Sequence, residues 1–139
     1  MPERARKPAE DVPRHWDTFL GIGPSDVRPA GERVQLLPVP YDGTTSYKSG
    51  SRHGPKAIIA ASRQLEDYDL ELDRDISAVG IRTLPEVEPD VSGPEAMVRR
   101  VEQVVADLAR PGVLLGLMGG EHSITIGAVS AMKALYPDL

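Results

Sequence analysis

VLLGLMGGEHSITIGAVSAMKALY, residues 113–136, decides how this chain is read. Its opening run, Val113 to Met118, is apolar on both faces of an extended chain, as a central strand of a parallel sheet is. Gly119 and Gly120 then allow a sharp turn at the strand end. His122 and Ser123 follow at the start of a helix running from Ile124 to Tyr136, where Pro137 stops it. Strand, tight turn and helix in that order form the repeating unit of a layered α/β fold.

Upstream, the pattern repeats. Pro94 to Arg110 reads as a helix, with Ser92 and Glu95 spaced as a capping box. Met97, Val98, Val101, Val104, Val105 and Leu108 make one apolar stripe along it, and Pro111-Gly112 ends it. Ala78 to Leu84 holds a short strand. Tyr68, Leu70 and Leu72 alternate with Asp69, Glu71 and Asp73, which predicts a strand with one wet face. Val34 to Val39, VQLLPV, reads as a buried strand. The Gly- and Ser-rich loop 41–54 follows, and a helix opens at Gly54-Pro55. This order predicts a three-layer α/β/α domain with a mostly parallel sheet over residues 32–139. Residues 1–31 are rich in proline and charge and read as a partly flexible arm. Within the arm, Trp16, Phe19, Leu20 and Ile22 form an apolar cluster that is expected to dock.

The 139-residue length suits one domain. There are no cysteines, which excludes disulfides, thiolate metal sites and cysteine nucleophiles. The net charge of -5 disfavours nucleic acid or an anionic membrane as partner and favours a cationic ligand. No apolar run approaches a membrane span. The basic residues Arg4, Arg6 and Lys7 are followed by no signal-peptide core, and Glu3, Glu10 and Asp11 oppose a transit peptide. A soluble, cytoplasmic protein is expected.

In α/β sheets, ligands sit in loops beyond the carboxyl ends of the strands. Loops 41–54 and 119–123 both qualify. A neutral imidazole at His122 can ligate a divalent cation. Glu121 beside it can orient the ring or balance the charge of the ion. The plain alternative is a glycine turn with Ser123 as helix cap and an exposed histidine. A Gly-rich turn at a helix start can also hold phosphate through backbone N–H groups. A third reading is a non-catalytic subunit that contributes sheet and interface. His53 is expected to cap the helix after it, with a substrate-facing role as the alternative; His15 carries no assigned role. Ser46, Ser49, Ser51 and Ser123 lack the Gly-x-Ser-x-Gly elbow of a serine hydrolase. Glu66, Asp67, Asp69, Glu71, Asp73 and Asp75 lack the spacing of a calcium loop and read as a solvated face.

LMGGEHSITIGAV, with VPYDGTTSYKSGSRHGPKAI upstream, resembles the ureohydrolases of the arginase and agmatinase family, agmatinases most closely. That family places a Gly-Gly-(Asp/Glu)-His-Ser motif after a central strand. The resemblance runs from about Trp16 to Leu139. It implies that His122 is a ligand of a two-manganese centre and that Glu121 stands behind it. It also implies a hydroxide attacking a guanidinium carbon, most simply turning agmatine into putrescine and urea, within a homotrimer or homohexamer. Arginine and guanidinobutyrate are alternative substrates. The family's later motifs, Asp-Ala-His-x-Asp and Ser-x-Asp-x-Asp-x-x-Asp-Pro, do not occur in these residues. The resemblance therefore implies part of a longer enzyme, with no catalytic residue in this stretch, and inactivity of the 139-residue chain by itself is expected.

Overall fold

The computed structural model describes residues 16–23 and 31–139. Val34–Val39 forms β1 and Gly54–Ser62 forms α1. Tyr68–Asp69 and Arg74–Asp75 are β2 and β3, and Ile81–Thr83 is β4. Pro94–Leu108 forms α2, Leu114–Gly119 β5 and Ile124–Leu135 α3. The main sheet has the order β4-β1-β5 and is wholly parallel. Alternation along β1 turns Leu37 and Val39 to one face, where they meet Met97, Val101 and Val105 of α2 and Ile124 and Ala131 of α3. Pro38 turns the other way and shares a cleft with Lys56 and Ile59 of α1. Helices on both faces of a parallel sheet confirm the α/β layering expected from the order of elements.

Several details differ from the sequence reading. The apolar run expected at 113–118 forms β5 one residue later, at 114–119, and among the described residues it pairs with β1 alone, while β1 is paired on both sides. Flanked on both sides, β1 carries Leu37 and Val39 at 1% and 0% exposure. The alternating stretch after Tyr68 is a two-residue hairpin rather than one strand. Asp69 Oδ1 accepts from the N–H groups of Glu71 and Leu72, each at 2.9 Å, and so bends the chain. Leu70 and Leu72 are left in water. Residues 76–79 form a short 3-10 turn capped by Asp75, so only 81–83 is strand. The capping box does not form. Gly93 is the cap of α2, and the N–H of Ser92 donates to Asp90 Oδ1 at 2.9 Å instead. His53 stands at the cap of α1 without a side-chain bond to it, and is exposed.

The apolar cluster of the arm docks at residues 18–20. The Phe19 N–H donates to Thr83 Oγ1 at 2.8 Å, and the Leu20 N–H donates to the buried Ser62 Oγ at 2.9 Å. His15 and the charged residues before it lie outside the described residues.

Two features hold the frame around the site. The first is the helix pair. At Gly127 of α3 a Cβ would lie 2.3 Å from the Val98 carbonyl oxygen and 3.0 Å from the Glu102 nitrogen, so the helices approach to backbone contact there. The second is the base of the loop after β1. Asp42, whose side chain is wholly buried, accepts the Gly50 N–H at 2.7 Å and the Arg52 N–H at 3.3 Å on Oδ2. Its Oδ1 lies 2.6 Å from Arg52 Nη2. The Arg52 guanidinium and the Gly50 N–H hold this carboxyl down from 3.8 to about 2 against the opposing effect of burial.

Three outcomes follow from this frame. Gly127→Ala gains about 1 kcal/mol in helix propensity. It loses about 1–3 kcal/mol to overpacking. Because the clash is with backbone, the loss is expected to win, and urea unfolding of the variant at or above the wild-type midpoint would contradict this. Asp42 has a depressed folded-state pKa, so its contribution is present above 3.8 and lost as pH falls through about 2. The stability gap between wild type and Asp42→Asn should therefore be full at neutral pH and close between pH 4 and 2. A gap that stays constant across that range would show that the ionised carboxylate contributes nothing. Finally, the outer edge of β5 meets no strand among the described residues, and Leu114 is 66% exposed. Open apolar edges pair with other chains, and salt weakens the acidic repulsion that opposes pairing. The 139-residue chain should sediment as larger species when salt is raised from low to moderate; a monomer at both would rule this out.

Candidate functional site

β1 and β5 run parallel and in register through Val39 and Gly119, so both chains leave the sheet side by side. The loop after β1 and the turn after β5 therefore meet. The Gly120 N–H donates to the Val39 carbonyl at 3.3 Å, and the Glu121 N–H to the Tyr41 carbonyl at 2.9 Å. A Cβ at Gly120 would sit 2.0 Å from the Tyr41 oxygen, which is why only glycine fits that position.

Glu121 carries the contact further. Its Oε2 accepts the Thr44 N–H at 2.8 Å, and its Oε1 accepts the hydroxyls of Thr44 and Ser123, the latter at 2.5 Å. Burial pushes this carboxyl up, but the donors on Ser123 and Thr44 outweigh it and hold the pKa below the ordinary glutamate value. Ser123 is thus engaged with Glu121 rather than capping α3, which begins without a side-chain cap. Tyr41 is buried beneath the junction. Burial, then the charges of Glu121 and Asp90, raise its pKa.

His122 is exposed beside a pocket of about 370 Å³, walled by Leu117, Ile124, Thr125 and Ala128. Its carbonyl accepts from the Thr125 N–H at 3.0 Å, which starts the helix and fixes the backbone under the ring. An exposed imidazole at the rim of a pocket suits one corner of a metal centre. Among the described residues no group of three His, Cys, Asp or Glu side chains comes together as a complete cation site. His122 and Glu121 are the ionisable side chains that line this pocket.

The two candidate residues of the turn lie where the sequence predicted, next to one another on the β5–α3 connection. Reading the sequence missed Asp42, Thr44 and Arg52. The spacing of Asp42 from Gly50 and Arg52 has no standard signature. A Thr shortly after a strand end, facing an acidic turn on the neighbouring strand, was the only hint. His53 and the serines of the loop take no part in the bonds described above. Among the described residues no helix is long and apolar enough to cross a membrane.

Comparison with known proteins gives this geometry a context. The profile of the arginase family matches residues 32–139. The N(1)-aminopropylagmatine ureohydrolase of Thermococcus kodakarensis is 42% identical over 109 residues, covering 77% of this chain and 38% of that protein. The agmatinase of Bacillus subtilis is 33% identical over 114 residues, covering 81% of the chain and 39% of its own length. The crystal structure of the agmatine ureohydrolase of Thermoplasma volcanium superposes with a TM-score of 0.65 at 35% identity, over 72% of this chain and 34% of that one. The chain thus spans well under half the length of these relatives. With the family profile covering the whole sheet, both loops and the His122 turn, the chain belongs to the arginase family.

Proposed function

We propose that the protein carrying this chain hydrolyses a guanidino compound, with manganese at the site, and that agmatine is converted to putrescine and urea. The observation that supports this best is His122, presented at a pocket rim by the turn after β5 within a stretch matched by the arginase family. Its ring nitrogen would hold one metal ion. A manganese pair, when bound, lowers the pKa of water and supplies a hydroxide nucleophile at neutral pH. The chain's own residues do the positioning. Gly119 and Gly120 set the turn, Thr125 fixes its backbone, and Glu121 stands behind the ligand. That carboxylate acts on the turn through Ser123, next to His122 in sequence, and places negative charge near a cationic substrate.

A second substrate is favoured by the comparisons. The Thermococcus relative, at 42% identity, is named for N(1)-aminopropylagmatine. The same chemistry acting on a longer polyamine chain is therefore a reading alongside agmatine. Arginine and guanidinobutyrate remain in the same reaction class. Assembly as a trimer or hexamer and a cytoplasmic setting belong to the same proposal.

The test is His122→Ala in the full-length protein. Loss of a metal ligand opens a coordination position, so manganese content and urea release should fall together. A variant that retains its full metal content and turnover would remove His122 from the ligand set. Measuring kcat/KM on agmatine and on N(1)-aminopropylagmatine with the wild type separates the two substrates.

A further inference from the structure

The loop from Gly43 to Gly50 is exposed throughout, yet it is tethered at two points. Asp42 closes its base through Gly50 and Arg52. Its first arm is held by the Thr45 hydroxyl, which donates to the Asp42 carbonyl at 3.1 Å, and by Thr44, which gives both its N–H and its hydroxyl to the Glu121 carboxylate. Glu121, which lines the pocket beside His122, in turn holds Ser123, so one carboxylate joins the loop to the start of α3. His122 lies between Glu121 and Ser123 in the chain.

We infer that Glu121 is a positioning residue that latches the 43–50 loop, through Thr44, to the turn bearing His122, and so sets how tightly a guanidino substrate is held. Two hydrogen bonds from one residue to one carboxylate fix both the height and the tilt of the loop. Bonds to an ionised acceptor are about twice as strong as neutral ones. Without the latch, the loop stays closed at its base but its arm swings free of the turn that bears His122. Ordering it again on substrate binding costs affinity, while a metal already bound nearby keeps its ligands.

This inference rests on the ureohydrolase reading for its kinetic arm, but its structural arm stands alone. The experiment uses the full-length protein with Glu121→Ala, Glu121→Gln and Thr44→Val, and measures amide exchange at Thr44, manganese content and steady-state kinetics. In Glu121→Ala the Thr44 amide should exchange about tenfold faster or more, the equilibrium size of one hydrogen bond to a charged acceptor. KM should rise by about the same factor, with kcat changed less and manganese content near wild type. Glu121→Gln keeps an oxygen for the Thr44 N–H and should recover most of the protection. Thr44→Val should raise KM without touching the turn, which guards against a Glu121→Ala protein that folds poorly. Loss of manganese in Glu121→Ala as complete as in His122→Ala would overturn the inference, since the carboxylate would then act on the ion. So would unchanged exchange in Glu121→Ala together with unchanged KM in Thr44→Val. Should the protein release no urea from any guanidino compound, the reaction is misassigned, and Thr44 exchange alone decides whether the latch exists.

Discussion

Everything at the site depends on the contact between Gly120 and Tyr41. Parallel pairing of β1 with β5 brings two strand ends out of the sheet together, but pairing alone does not make their loops touch. The 2.0 Å separation between the Tyr41 oxygen and a Cβ at Gly120 shows how closely the turn crosses the neighbouring chain. With any side chain at that position the turn would lift away. The Glu121 N–H would lose Tyr41, and its carboxylate would no longer reach Thr44. A single missing methyl group thus permits the junction on which the other polar contacts are built.

Around that junction the chain keeps two carboxylates ionised close together. Asp42 opposes the ionisation of Glu121 through its charge. The protein answers with different donors for each. Asp42 has the Arg52 guanidinium and two backbone N–H groups, while Glu121 has one backbone N–H and two hydroxyls. Splitting the donors this way lets both acids remain charged without sharing a proton. Arg52 offsets the charge of Asp42, so the uncompensated acid at the pocket beside His122 is Glu121.

The layering was legible because α2, α3 and β1 each obey a period that burial imposes. Met97, Val101 and Val105 sit on one stripe, and Leu37 and Val39 on one face. The turn at 119–123 was legible as a sharp strand-to-helix connection from its two glycines, whereas a role for His122 was implied only by the resemblance to the ureohydrolases. Short-range polar competition hid the rest. Asp69 and Asp75 looked like the wet face of a strand, yet each turned its carboxylate on nearby N–H groups and bent the backbone. Asp90 captured Ser92 in the same way and left Gly93 to cap α2. The bonds from Asp42 to Arg52 and from Glu121 to Thr44 join residues with no periodic relation, so only the folded loops reveal them.

The two tethers also separate what must stay constant from what can vary. Asp42 and Glu121 grip the loop by its base and by Thr44, and Thr44 offers its backbone N–H whatever side chain it carries. Between Thr44 and Gly50 the side chains face solvent, with Tyr47 88% exposed and Lys48 5.4 Å from its ring. Substitutions in that stretch alter the shape and charge of the exposed loop without disturbing the sheet, the turn or His122. Loop closure is also tolerant, since doubling a loop's length costs only about 0.6 kcal/mol. The frame thus combines one turn fixed by backbone bonds with one loop anchored at its ends and free to vary between them. The exposed arm, rather than the turn, is therefore where the sequence can change at the least structural cost.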